Sequence, residues 1–221
     1  MRRWTALLAL AAGSAAAHAR VPLCVTDFPP YVSAAAPDGG SITALARRAF
    51  ESGGLGVQTL HVPWVRAFAM ARNGECLLLS LWRNEERDTL FLYSLPVTRM
   101  ELGLFVRADL DTPLPPDATV AYQRGSYLPA ALADGRYQLY ELVDPRPGLE
   151  MLRRRRVDAV MSERATFEHL LASQPRGADD VRWQAPAIEV KNSYIAISRH
   201  HPQAEAWLAL LNREIRRSVR N

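Results

Sequence analysis

The chain has 221 residues, 48% hydrophobic and 23% charged, enough for one sizeable domain or two small ones and too balanced for a disordered polymer. Its 27 basic residues outnumber 23 acidic ones, a formal charge of +4, but Arg2 and Arg3 belong to an N-terminal segment that reads as a leader. Without those two, 25 basic residues face 23 acidic and the charge is +2, which argues against a nucleic-acid partner.

The leader comes first in chain order. Arg2-Arg3 is a positive n-region, Trp4 to Ala16 an apolar stretch, and Ala17-His18-Ala19 a small-x-small cleavage signal. Residues 1–19 therefore read as a secretory signal peptide, which places the mature chain in the periplasm. No other segment approaches the ~20 apolar residues of a membrane span. Cys24 follows Val21-Pro22-Leu23, which is not a lipoprotein context. Cys24 and Cys76 permit one disulfide in an exported chain. Both sit at predicted strand starts, where cross-link geometry is demanding, and the sequence leaves the pair open. No metal-ligand spacing occurs, and no cofactor is expected.

Residues 21–26 read as a strand, broken by Asp27-Phe28-Pro29-Pro30-Tyr31. Ser41 reads as the N-cap of a helix over 42–52, and Gly53-Gly54 stops it. Residues 56–62 read as strand. A helix opened by Pro63 follows, with Trp64, Ala67, Phe68 and Ala71 on its apolar face. Cys76 to Leu81 is an apolar run suited to the middle of a parallel sheet, and it ends in a charged cluster, Arg83 to Arg87, behind Trp82. Pro96 to Arg107 is an apolar strand that could pass between two lobes.

The β-α-β-α-β order then recurs. Residues 118–123 read as strand, Gly125-Ser126 as turn and N-cap, and a short helix runs to Ala133. Residues 137–142 read as strand, 148–155 as helix, 157–162 as buried strand and 163–172 as helix. A strand over 193–198 and a helix over 203–219 close the chain, the helix burying Ala206, Leu208, Leu210, Leu211 and Ile215. The predicted fold class is α/β, two lobes each with a mainly parallel sheet flanked by helices. Residues 20–98 with 191–221 form the first lobe and 99–190 the second, with a hinge between.

Ligands in open α/β sheets bind beyond the carboxyl ends of the strands, at the switch point. That rule selects Asp27, Phe28, Tyr31, Ser80, Trp82 and Arg87 in the first lobe, and Ser126 and Glu163 in the second. Arg87 suits a carboxylate. Ser126 adds a hydroxyl at a helix N-terminus. Asp27 and Glu163 can accept from an ammonium, while Phe28, Tyr31 and Trp82 supply walls. Arg66 is a weaker candidate. The arginine run 153–156 reads as a solvated helix end.

The stretches "VTDFPPY", "VPWVRAFAMARNGE", "LWRNEERDTLFLYSLP", "AYQRGSY", "RRRRVDAVMSERATFEHL" and "SYIAISRHHP", in this order, resemble the family 3 solute-binding proteins, the periplasmic amino-acid receptors of bacterial transport systems. The resemblance covers essentially the whole mature chain. It implies a two-lobed periplasmic-binding-protein-like fold of type II. Arg87 would bind a ligand α-carboxylate with help near Ser126, and Glu163, with Asp27, an α-amine. A monomer would hand a small ligand to an inner-membrane permease. A dehydratase-like enzyme with Glu163 as general acid, or a sensor without a transporter, are the alternatives on the same scaffold. The chain departs from the family's pattern where Trp82 replaces a small hydroxyl residue, where Cys76 replaces an aspartate, and in the longer acid at Glu163.

Overall fold

The computed structural model describes residues 20–110, 113–144, 146–174 and 179–220; the expected leader, 1–19, lies outside them. The first lobe is built from β1 (Arg20–Val25), α1 (Ser41–Glu51), β2 (Gly56–His61), α2 (Trp64–Arg72) and β3 (Leu77–Leu81). After it come α3 (Glu85–Leu90), β4 (Phe91–Tyr93) and the long β5 (Thr98–Arg107). The second lobe holds β6 (Thr119–Gln123), α4 (Ala130–Ala133), β7 (Gln138–Leu142), α5 (Arg146–Arg153), β8 (Ala159–Glu163) and α6 (Arg164–Ala172). The 18-residue β9 (Val181–Ser198) and α7 (Ala204–Ser218) complete the chain.

The strand order is β2-β1-β3-β9-β5-β8-β6-β7, with β4 beside β9. It reads as two copies of one pattern. In the first lobe β1 lies parallel between β2 and β3, and in the second β6 lies parallel between β7 and β8. Each trio is continued by an antiparallel strand, β9 on β3 and β5 on β8. The strands β5 and β9 pair antiparallel from Thr98↔Ser193 to Arg107↔Val181, so they are the two chain segments joining the lobes.

Side-chain alternation decides which face each residue buries. Val21, Leu23, Leu77, Leu79 and Ile195 pack with α1 and α7, where the Phe50 and Trp207 rings meet edge-to-face at 5.8 Å. Cys24, Leu78 and Ala196 turn to the other face, toward Ala67 and Ala71 of α2. In the second lobe Phe105, Val160 and Phe167 form the corresponding core, with the two phenyl rings 4.2 Å apart.

Several local expectations change. Gly40, with φ 92°, occupies the N-cap of α1 in place of Ser41; a Cβ there would lie 2.5 Å from the Tyr31 carbonyl oxygen. The buried face of α7 is Ala204, Trp207, Leu211, Glu214 and Ile215, so Ala206 is exposed. Its buried Glu214 pairs with Arg48 of α1 at 2.9 Å. The strand expected over 193–198 is the last third of β9. Pro186 hid the rest, because proline cannot donate to a ladder. Here it falls where the β5–β9 register shifts between Leu102↔Glu189 and Leu104↔Gln184 and no ladder bond is required. Gly103 stands opposite this bulge under the Trp183 ring, 2.5 Å from where its Cβ would be. In the arginine run Arg154 and Arg155 stay exposed as expected, paired with Glu150 and Asp109, whereas the Arg153 side chain is largely covered and paired with Asp180.

Cys24 of β1 and Cys76, which precedes β3, form a disulfide with Cα atoms 5.6 Å apart. The two strands are direct neighbours with Cys24 opposite Leu78, which brings Cys76 within reach. The bond ties together positions 52 residues apart. In the chain-entropy account, closing a loop of that length stabilises the fold by about 3–4 kcal/mol. Replacing both cysteines by serine should lower the unfolding free energy in urea by that order. An unchanged midpoint would show that the cross-link adds nothing to the fold.

Candidate functional site

The carboxyl ends of β1, β3, β6 and β8 meet at one cleft between the lobes. It is lined from the first lobe by Thr26, Asp27, Phe28, Trp64, Ser80, Trp82 and Arg87. The second lobe contributes Gln123, Ser126, Tyr127, Met161, Glu163 and Thr166, and Leu102 of β5 joins them. The free space between these side chains is about 90 Å³.

Arg87 is placed by a helix that was not among the expected elements. The charged cluster after Trp82 forms α3, six residues long. The side chain of Asn84 caps it by accepting from the Arg87 backbone N–H at 2.8 Å, and Glu85, Glu86 and Asp88 fill its first turn, where acids suit the dipole. The Arg87 side chain thereby turns inward and is 5% exposed. Its guanidinium donates to the Trp82 carbonyl oxygen at 2.9 Å and, across the cleft, to the Gly125 carbonyl oxygen at 3.3 Å. It sits over the Phe68 and Trp64 rings at 5.6 and 5.9 Å. No carboxylate among the described residues pairs with it, and burial pulls its pKa below the usual arginine value. The neighbouring Arg83, by contrast, is spent on Asp88 at 2.8 Å.

Glu163 ends β8, 3% exposed, and its carboxylate is the N-cap of α6, accepting from the Thr166 N–H at 2.8 Å. Tyr31 of the first lobe donates its hydroxyl to the same carboxylate at 3.3 Å. Burial pushes the Glu163 carboxyl up, opposed by the N–H groups of Thr166 and Ala165 and by Tyr31. Burial, followed by the Glu163 charge, pushes Tyr31 up to about 12. Tyr31 thus contributes a hydroxyl to the lobe contact more than a wall to the cleft.

The other expected residues divide. Phe28 and Trp82 are walls, their rings at 6.3 Å and 79°, and Trp82 reaches Tyr127 of the second lobe at 6.4 Å. The Trp82 indole nitrogen and the Ser126 hydroxyl are buried with no hydrogen-bond partner. Ser126 is not at a helix N-terminus. It follows β6 in a tight turn, donating its N–H to Gln123, and α4 starts only after Pro129. Ser80 holds φ 63° where β3 loses register with β9, and its hydroxyl is engaged with that of Ser193 at 3.0 Å. Asp27 is exposed at the rim, where it accepts from the Ala34 N–H at 3.3 Å. Arg66 is exposed and lies outside the cleft lining.

Trp64 packs with Ala67, Phe68 and Ala71 on the apolar face of α2, as expected, and also lines the cleft. Its indole N–H donates to the Gly125 carbonyl oxygen at 2.9 Å. The available signal was its position directly after the N-cap Pro63, where a ring with one polar edge can leave the helix face. Tyr127 and Gln123 were also missed. Tyr127 donates to Glu189 at 2.9 Å and lies under the Lys191 ammonium at 3.8 Å, which fixes its ring beside the cleft.

No family model and no curated protein matches the sequence. Solved structures do. Holo ArgBP from T. maritima superposes with a TM-score of 0.77 at 18% identity, covering 91% of each chain. AbpA from Streptococcus pneumoniae, an amino-acid ABC transporter substrate-binding protein bound to L-arginine, gives 0.77 at 19%, over 92% of this chain and 90% of that one. A histidine kinase sensor domain with similarity to periplasmic binding proteins gives 0.78 at 19%, over 92% of both. The fold is therefore the two-lobed periplasmic-binding-protein-like α/β fold expected from the sequence.

The raised pKa of Glu163 has a sign that can be checked. The folded state holds this proton more tightly than the unfolded chain, so the group's stabilising contribution is complete below its unfolded value near 4.3 and is lost as pH climbs through the raised folded value. Glu163→Gln removes that loss. The stability of the wild type relative to the variant should fall as the pH rises above the unfolded value, measured by urea denaturation at a series of pH values. A difference that grows with pH would show that the hydrogen bonds outweigh burial.

Proposed function

We propose that the protein captures a small carboxylate-bearing solute, an amino acid or a relative, by closing its two lobes, and performs no chemistry on it. The observation that carries this reading is Arg87. A guanidinium 5% exposed, held by two carbonyl oxygens and facing no carboxylate, keeps donor capacity that a ligand carboxylate would use through two parallel N–H bonds. Leaving such a charge unpaired costs free energy, and binding an anion recovers it.

Closure is supported by where the lobe-to-lobe bonds lie. Tyr31 to Glu163, Trp64 to Gly125 and Arg87 to Gly125 all cross the cleft beside the same space. In this reading residues 20–98 with 191–221 move as one body and 99–190 as the other, turning about β5 and β9. Glu163, the acid that an enzymatic reading would need, is committed to capping α6 and to Tyr31.

In this reading the protein is an exported, monomeric, periplasmic receptor whose closed form is read by an inner-membrane ABC-type permease; the sequence of residues 1–19 and the likeness to AbpA support it. Its structural likeness to a kinase sensor domain makes a signalling partner the second reading. The two differ in the partner, not in the capture step.

Arg87→Ala should weaken binding of the cognate acid on the order of 100-fold in titration calorimetry, the loss of two charge-assisted bonds. The wild type should also change its tryptophan fluorescence on binding, because Trp64 and Trp82 line the cleft. Unchanged affinity in the variant would overturn the assignment.

A further inference from the structure

We infer that the solute is a small organic acid without an ammonium group, and that the cleft discriminates against the zwitterionic amino acid of the same shape. The inference rests on the carboxylate reading above and narrows it. Its basis is which cleft groups are already satisfied and which are not.

The groups left over can all donate. Arg87 forms no ion pair with a carboxylate among the described residues, and Glu86 acts on it only through space. The Ser126 hydroxyl and the Trp82 indole N–H are buried without a partner. Both belong to residues that line the same cleft as Arg87. A buried polar hydrogen without an acceptor is costly, so these two groups beside the Arg87 guanidinium favour a ligand that brings acceptor oxygens.

The two cleft carboxylates, in contrast, already accept hydrogen bonds from the protein. The Glu163 carboxylate takes the Thr166 N–H on one oxygen and the Tyr31 hydroxyl on the other. Its charge lies at the N-terminus of the nine-residue α6, whose dipole offsets it. Asp27, the second cleft acid, is exposed and bonded to the Ala34 N–H. An α-ammonium placed here would compete with these donors for the Glu163 oxygens and would meet a carboxylate whose charge the helix already offsets, a poor exchange for its own hydration.

The remaining lining is rings. Trp82 spans from Phe28 in one lobe to Tyr127 in the other. A flat or compact apolar body attached to a carboxylate would meet these ring surfaces. Of the three charged residues in the lining, Asp27 keeps its hydration at the rim and Glu163 is offset by the N-terminus of α6, which leaves the buried Arg87 guanidinium as the charge that a ligand anion would neutralise. A 2-hydroxy, 2-oxo or aryl carboxylate has that chemistry.

Matched pairs that differ only in the α-substituent test this: glycine against glycolate, L-alanine against L-lactate, and L-phenylalanine against L-3-phenyllactate. A thermal-shift screen is followed by titration calorimetry on the full mature chain. The expected result is a hydroxy acid that binds about tenfold or more tightly than its amino-acid partner, the order that one unpaired polar group imposes. Ser126→Ala, which removes a hydroxyl that bonds to nothing in the free protein, should weaken that acid about threefold or more while leaving the melting temperature of the free protein in place. An amino acid that binds as tightly as its hydroxy partner overturns the exclusion of the ammonium and leaves the carboxylate reading standing. No measurable binding by any member of the three pairs, or by benzoate and pyruvate added as controls, overturns the carboxylate reading and this inference with it.

Discussion

A guanidinium taken out of water must recover five N–H bonds and a counter-charge, and Arg87 recovers only part of both. The Trp82 and Gly125 carbonyl oxygens and two ring faces are what the protein supplies. The rest is withheld, and most of the cleft can be understood as the arrangement that keeps it withheld. Asn84 starts a helix short enough to turn Arg87 inward. Asp88, which follows Arg87 directly in sequence, is drawn off by Arg83 on the exposed side. Glu163, the buried acid across the cleft, is satisfied by its own helix and by Tyr31.

The sheet topology makes that arrangement possible. Two β-α-β-α-β units with the same strand order place two switch points face to face, and a loop after each central strand and its inner neighbour reaches the gap. The connections that hold the units together, β5 and β9, are adjacent antiparallel strands, so the two lobes share one narrow join. The bulge at Pro186, the bare Cα of Gly103 and the ring of Trp183 sit within that join. On the first-lobe side, the Cys24–Cys76 bond fixes β1 against β3, the two strands whose ends carry Asp27, Phe28 and Trp82.

Much of this was legible in the residues. Apolar runs such as Leu77 to Leu81 mark strands buried on both faces, and helical spacing marks α1, α5 and α6, so the doubled α/β order follows from periodicity alone. The rule of strand ends then brings Arg87, Trp82, Phe28, Ser126 and Glu163 to one place, and all five line the cleft. What escaped has physical causes. The Trp82-to-Arg87 cluster looks like a solvated loop because its helix buries one residue only, although Asn84 before three acids is a start signal. Gly125-Ser126 looks like an N-cap, but Pro129 sets the start of α4. Long-range partners, such as Tyr31 on Glu163 across 132 residues, leave no trace in local spacing.

The central claim is that Arg87 closes on a ligand carboxylate between the lobes. A crystal structure of the protein with its tightest-binding acid tests it most directly. The account predicts the carboxylate within hydrogen-bond distance, about 2.7–3.1 Å, of two Arg87 nitrogens, with both lobes in contact with the ligand. A ligand seated elsewhere, or one whose carboxylate leaves Arg87 on the Trp82 and Gly125 carbonyl oxygens alone, would contradict it.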